Sequence, residues 1–492
     1  MYPNISSCCL RLLALLGPKV SFPQTPAYNT SLASYFTQQN AYLHPSCIVT
    51  PSNTADVSTI LEVLTSPRQD QNPAHTHASA NKNTNITCPF AIRSGGHAYN
   101  TAFNNINSGL TIDLSNLNFI TLSADQKTVS VGPGATWGDV YDILDPAHIS
   151  VPGGRAGQVG VGGLTLGGGI SYFSPRYGWT CDSVSEFEIV LADGEVVTAS
   201  HGHHSDLWIS LCGGGPANFG IVTRINLTTF PQGMIWGGFV YYTLDTIPEQ
   251  LSAFEGFNTA ESYDEHASLI MSFGFSGGVG GAVVNSVVYT KDEKYPAVYE
   301  PFFALPSLSS TVRVASLGEI AREQGSFSPD GRRQLSAVIT HTSTKPMLNA
   351  TYNNWNASLA SIEHIPGIVW SLSLEPLPPS IYARHANTNS MGLPDTPDGE
   401  SLVVSQLSVS WDNEEDDETV ERVARALVEG IERDAKALDA YEPFLYLNYA
   451  AEWQDPIASY GEESVERLRS VRREVDPRGV FRDGVKGFKI PG

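Results

Sequence analysis

Two adjacent glycines set between a cation and an imidazole, Arg93-Ser94-Gly95-Gly96-His97, constrain this chain more than any other stretch. Neither glycine has a Cβ, so the backbone can come close to a bulky ligand. Consecutive N–H groups in such a turn form a nest for an anion such as a pyrophosphate, with Arg93 as a nearby cation and His97 as a nucleophilic ring. The bland alternative is a surface turn with a solvated histidine. A second glycine-dense run bears on the choice: glycine fills nine of the eighteen positions from 152 to 169. A linker of that glycine content is polar and serine-rich, whereas this run interleaves Val159, Val161, Leu164 and Leu166. Apolar residues need a core, so the glycines are expected to let a buried backbone lie against a flat ligand. Gly160-x-Gly162 is followed by Thr165 and not by the small residue of a dinucleotide fingerprint, and no Gly-Lys-Ser/Thr phosphate loop is present.

At 492 residues the chain is too long for one ordinary core. Its 41% hydrophobic content is that of a packed globular protein. A net charge of −22 argues against nucleic acid or an anionic membrane surface as the main partner. No stretch reaches the ~18 apolar residues of a membrane helix. The short apolar run ending at Leu16 is read as the first helix, Cys9 to Leu16, and not as a signal peptide. Six cysteines show no metal-type spacing; Cys8 or Cys9 could join Cys47, or the thiols stay reduced and buried. Sequons at Asn4, Asn29, Asn85, Asn226, Asn349 and Asn356 suit a secretory route, but chance supplies several, and the compartment stays open. Oligomeric state is not legible.

Along the chain, short strands are expected between Pro45 and Pro51 and at 90–93, 110–114 and 128–131, and helical spacing at 56–64 and between Gly134 and Leu144. Residues 68–87, polar and rich in Asn and His, read as a surface loop. An Asp193-Gly194 turn joins two strands in a hairpin over 187–197. Beyond Pro231 the texture changes to longer strands at 267–290 and 335–342. Val403, Ser405, Leu407, Val409 and Trp411 alternate for one sheet face. The acidic run Asp412 to Glu418 is read as a helix cap, ahead of a helix burying Val420, Val423, Leu427, Ile431 and Leu438. The fold class is α+β. His201, His203 and His204 are read as solvated and not as metal ligands.

Taken together, five motifs in order resemble the berberine-bridge-enzyme-like branch of the vanillyl-alcohol-oxidase flavoproteins, whose FAD-binding domain is of the PCMH type. They are Arg93–His97, Val151-Pro152-Gly153-Gly154, the Gly160–Gly169 run, Gly213-Gly214-Gly215-x-x-Asn218-Phe219-Gly220-Ile221-Val222-Thr223 and Tyr446-Leu447-Asn448-Tyr449. The texture is most similar to fungal members that modify secondary metabolites. The resemblance implies an N-terminal helical segment (1–41) and an FAD-binding domain of two α+β subdomains (42–232). A substrate domain with a large antiparallel sheet backed by helices (233–438) and a C-terminal segment returning to the flavin (439–492) follow. It implies FAD bound covalently, once, through His97, because Ala156 stands where many relatives carry a second, cysteine linkage. Arg93, Ser94, Gly95, Gly96, Pro152, Gly153, Gly154, Val159, Gly162, Gly163, Leu164, Gly169, Gly220, Ile221, Val222 and Asn448 are the implied cofactor contacts. Cys212 stands where relatives often have a basic residue.

A flavin oxidation needs substrate carbon held over the ring and a base for the proton. Tyr449 resembles the family's phenolic base; a phenol of ordinary pKa needs a neighbouring cation or hydrogen bond for that work, and otherwise merely packs. Glu375 is the second candidate, or a plain strand-end carboxylate. The small β-branched Val159 implies that oxygen reaches the flavin. The expected activity is therefore an FAD-linked oxidase with a small-molecule substrate and oxygen as partners, and no nucleic acid or membrane. The alternatives are a carbohydrate oxidase or a flavin-retaining binding protein.

Overall fold

The computed structural model describes residues 6–66 and 88–492; the loop expected at 68–87 and two of the sequons, Asn4 and Asn85, lie outside the described residues. Helix Ser7–Leu16 starts where the Ser6 side chain accepts a bond from the Cys8 N–H and buries Cys8, Cys9 and Leu12. Disulfides Cys9–Cys47 and Cys8–Cys88 fasten it to the first sheet. Cys9 is thus the partner of Cys47, and the thiols are not reduced. That sheet holds β1 (Val20–Ser21), β2 (Cys47–Val49), β3 (Phe90–Arg93) and β4 (Leu110–Asp113) in the order β1-β2-β4-β3, the last three parallel. Every residue of β2 and β4 is buried, as parallel strands covered on both faces require.

The second sheet, wholly antiparallel, orders β5 (Ile120–Leu122), β6 (Thr128–Val131), β10 (Ile221–Thr228), β8 (Val184–Val190) and β9 (Val196–Ser200). The short strands β7 (Ile149–Ser150) and β11 (Phe230–Pro231) pair beside it. The hairpin expected around Asp193-Gly194 is β8–β9, and Gly194 takes the φ of +90° that its turn demands. Helix Trp137–Leu144 begins in a reciprocal Thr136–Asp139 capping box and buries Trp137, Val140, Tyr141 and Leu144 on one face. Asn226, one of the sequons, lies within β10; its amide takes a bond from Ser130 Oγ at 2.6 Å and gives one to Glu186 at 3.1 Å.

The third sheet has nine strands. Its order is β15 (Ser307–Ser310), β12 (Ile235–Tyr242), β14 (Gly280–Tyr289), β13 (Ala267–Ser276), β18 (Val369–Leu377), β19 (Leu402–Trp411), β17 (Arg333–Thr342) and β20 (Tyr441–Glu442), with β16 (Arg313–Ala315) also on β12. One face packs against helices Ile247–Phe257, Lys345–Ser358 and Asp417–Ala437 in a single core that includes Val403, Leu407, Val409 and Trp411. Leu438, expected inside, is 45% exposed because the helix has already ended there. No side chain of the acidic run caps the helix by a hydrogen bond; Asp417, in its first turn, pairs with Arg333 and accepts a bond from Trp411 Nε1 at 2.9 Å.

His341 on β17 is fully buried, its ring nitrogens 2.9 Å from Ser405 Oγ and 2.9 Å from the Thr342 carbonyl. Burial lowers its pKa from 6.5 to about 4. Between those values the unfolded chain binds a proton that the folded chain refuses, so stability is full above pH 6.5 and falls as pH drops toward 4. In His341→Gln the loss of unfolding free energy between pH 7 and pH 4.5 should shrink by about 2–3 kcal/mol, measured by urea titration at both pH values.

Candidate active site

The turn after β3, the glycine-rich segment and the open face of the nine-stranded sheet enclose one large cavity. Arg93, expected to face a ligand as its cation, turns away from it. Its guanidinium donates to the carbonyls of Ser31 at 2.7 Å and Ser34 at 2.8 Å, pairs with Asp113 at 3.5 Å and lies over the Tyr35 ring. A buried guanidinium needs fixed acceptors, and the N-terminal segment supplies them. That segment delivers Phe36, which stacks on His97 with ring centroids 3.7 Å apart and donates its N–H to the Gly96 carbonyl at 3.2 Å. His97 lines the cavity, and burial lowers its pKa to about 4, so the imidazole is neutral. Its Nε2 is buried with no hydrogen-bond partner among the described residues.

The glycines serve two purposes. A Cβ on Gly160 would sit 2.5 Å from the Gly95 nitrogen, so this pair lets two backbone segments touch. Gly153 and Gly154 lie under Trp137, at 2.3 and 2.5 Å from its ring by the same test. At Gly163, by contrast, a Cβ would meet nothing within 4 Å, and this residue faces the cavity. Gly169, at φ +91°, donates its N–H to the Tyr446 hydroxyl. Of the implied cofactor contacts, Ser94, Gly95 and Gly96, the stretch Gly162–Leu164 with Val159, Gly220–Val222 and Asn448 line the cavity. Arg93, Pro152, Gly153, Gly154 and Gly169 do not; they hold the neighbouring backbone in place.

Tyr449 and Glu375, 74 residues apart in sequence, meet at the cavity wall: the Tyr449 hydroxyl donates to Glu375 Oε1 at 3.1 Å. Sequence reading missed their third member. Arg155 Nη2 donates to Glu375 Oε2 at 2.7 Å and to the Tyr449 hydroxyl, the ion-paired side chains being only 8% and 4% exposed. The signal was present: a charged residue inside a buried glycine-rich run must find a counter-charge. Burial works against the Arg155 charge, but Glu375 and Tyr449 outweigh it and its pKa rises. Tyr449 keeps some exposure to the cavity, yet burial pushes its pKa well above 10; Arg155 opposes that shift and Glu375 adds to it. The resting arrangement is thus a neutral phenol donating to a carboxylate that a guanidinium holds. Asn448 donates to the Leu164 carbonyl at 3.0 Å and to Tyr446 Oη at 2.9 Å, which locks the C-terminal segment onto the glycine-rich one. Cys212 is joined to Cys181. His201, His203 and His204 are exposed.

The fold and this cavity define a flavoprotein oxidoreductase. Residues 45–200 match the family of FAD-binding domains. The chain is 35% identical to the FAD-dependent monooxygenase sdcF of Emericella nidulans over 98% of both chains. It is 41% identical over 98% of its length to a part of the oligopeptidase PhomG' of Diaporthe leptostromiformis, but spans only 37% of that protein. Among solved structures it resembles the xylooligosaccharide oxidase of Myceliophthora thermophila, with a TM-score of 0.78, 18% identity and 99% and 100% of the two chains covered. Berberine bridge enzyme from Eschscholzia californica gives a TM-score of 0.74, 18% identity and coverage of 98% and 99%. The chain belongs to the family of FAD-dependent oxidoreductases that these fungal relatives represent, and it shares the fold of berberine bridge enzyme. The residues present fit the cofactor: a neutral, partnerless histidine nitrogen stands at the cavity, and Gly163 leaves backbone open toward it.

Because Arg93 is structural, Arg93→Met should destabilise the fold by about 3–5 kcal/mol by leaving Asp113 buried and unpaired. Asp113→Leu in the same chain should recover part of that loss. Urea unfolding of the two variants checks both.

Proposed function

We propose that the protein is an FAD-linked oxidase that removes two electrons and two protons from a small natural-product intermediate, with oxygen becoming hydrogen peroxide, in fungal secondary metabolism. The observation that carries this reading is the Arg155–Tyr449–Glu375 constellation at the cavity wall. FAD, bound along 94–97, 159–164 and 220–222, supplies the two-electron acceptor and the route to oxygen. In this reading Tyr449 takes the substrate proton at its phenolic oxygen as it hands its own to Glu375 Oε1, its hydrogen-bond partner at 3.1 Å. A neutral phenol is a weak base, and the carboxylate beyond it gives the phenol's own proton somewhere to go as hydride leaves the substrate. Arg155 holds both partners in line. His97, neutral and partnerless, is read as the single covalent attachment, because Ala156 has no nucleophile. Val159, small and at the cavity wall, leaves oxygen a way in.

The fungal relatives are named monooxygenases. A monooxygenase consumes an external two-electron donor such as NADPH and leaves one oxygen atom in its product. Peroxide formed in air from substrate alone supports the oxidase; a strict need for NADPH overturns it. Denatured protein should keep flavin fluorescence on a gel and His97→Ala should lose it; flavin released by acid from the wild type would sink the covalent linkage.

Tyr449→Phe should keep bound flavin and slow its bleaching by substrate about 10²–10⁴-fold in stopped flow. Glu375→Gln, which leaves the phenol without its acceptor, should fall in the same direction by a smaller factor. Arg155→Met removes the donor that holds both Glu375 and the Tyr449 hydroxyl, so bleaching should slow while bound flavin is kept. Unchanged bleaching in Tyr449→Phe, with a collapse in Glu375→Gln, would make Glu375 the direct base.

A further inference from the structure

The sheet face that carries Glu375 continues as a grid of small, uncharged polar groups. Same-face positions on a strand are two residues, about 7 Å, apart, so Ser373 and Ser371 follow Glu375 along β18 in two such steps. Strand pairing puts Ser272 and Gln406 beside Ser373, and Gly274 and Ser408 beside Ser371. The next row is Val369, flanked by Ser276 and Ser410. All nine line the cavity. Ser272 and Ser373 bond to each other at 2.8 Å, and Tyr99, two residues from His97, brings its hydroxyl to 3.5 Å from Ser408 Oγ.

Toward β14 and β12 the lining turns apolar, through Ala282 and Val284 to Phe239, whose ring packs on Phe327 at 4.5 Å. Formal charges among the described lining residues are confined to Arg155 with Glu375, already paired, and Lys486, paired with Glu452 at 2.6 Å.

We propose that this grid is the substrate platform, and that the substrate is an uncharged, flat, polyoxygenated aromatic molecule, such as a polyphenol or hydroxylated aromatic ketone. The serines and Gly274 keep most of this floor low, with Gln406 and Val369 its larger members, which suits a planar ring system. Each hydroxyl gives and takes single hydrogen bonds, which suits oxygen atoms spaced around rings. The apolar side toward Phe239 and Phe327 takes the ring edge and faces without polar groups. An anion would be stripped of water with no free counter-charge to meet it. An oligosaccharide is held best by free carboxylates that accept from two neighbouring hydroxyls at once; the one carboxylate of the described lining is occupied by Arg155 and Tyr449. The inference rests on the oxidoreductase reading only for which end of the substrate reacts, at Tyr449.

The test is calorimetric titration of the purified holoprotein with 2,7-dihydroxynaphthalene, 2-naphthoate and cellobiose. The dihydroxy compound should bind, and the other two should bind at least about tenfold more weakly or not at all. Ser371→Val with Ser408→Val should weaken the dihydroxy compound about tenfold, while Ser408→Thr, which keeps the hydroxyl, should restore most of the affinity. Thermal unfolding confirms that each variant is folded, and Ser408→Ala alone is read in place of a double variant that is not. Tighter binding of cellobiose or 2-naphthoate, no binding of the dihydroxy compound, or affinity unmoved by the substitutions overturns the proposal. Flavin content and bleaching are read on the same samples. A flavin-free protein with this binding pattern defeats the oxidase reading alone, and a bleachable flavoprotein that prefers cellobiose defeats this one alone.

Discussion

The Arg155 guanidinium reaches from the glycine-rich segment to a carboxylate on the large sheet and a phenol on the C-terminal segment, and the alignment of those three parts turns on it. Taking two charges out of water costs several kcal/mol each, and only close, well-directed contacts offset that. Such a pair contributes little net stability; what it contributes is position. It places Tyr449 and Glu375 within one hydrogen bond of each other at the cavity wall. The geometry of this triad is thus fixed by the same contacts that hold the glycine-rich segment against the sheet.

A comparable division of labour governs the other wall. Arg93 is spent on the N-terminal segment, and through that segment Phe36 is laid flat on His97. Burial keeps the imidazole neutral. The cation beside the glycine turn therefore acts on the histidine and not on a ligand. Two disulfides tie the first helix to the first sheet, so the segment that carries Phe36 starts from a fixed anchor.

The nine-stranded sheet meets two different environments. On the helix side, Val403, Leu407, Val409 and Trp411 join an apolar core; on the cavity side, β18 and β19 present serine, glutamine and one acid. A strand with period two can satisfy both at once, because successive side chains point to opposite faces. Small cavity-side residues widen the space, and the helices behind the sheet supply the burial that this face forgoes.

Much of the molecule could be read from its sequence, because local rules fix local structure. The Asp193-Gly194 hairpin, the capped helix from Trp137 and the alternation along β19 follow from turn chemistry, capping and periodicity. The two glycine-dense stretches indicated a buried backbone against a flat ligand, and five motifs in order, read as a family resemblance, pointed to a flavin. What the sequence could not give was direction. Whether Arg93 faces a ligand or the N-terminal segment, which glycines touch backbone and which face open space, and which cysteine takes Cys47 all depend on what chain folding brings alongside. Arg155, Glu375 and Tyr449 are separated by 220 and 74 residues. Only the packing of three distant segments makes them one site, because a buried charge chooses its partner in space and not in sequence.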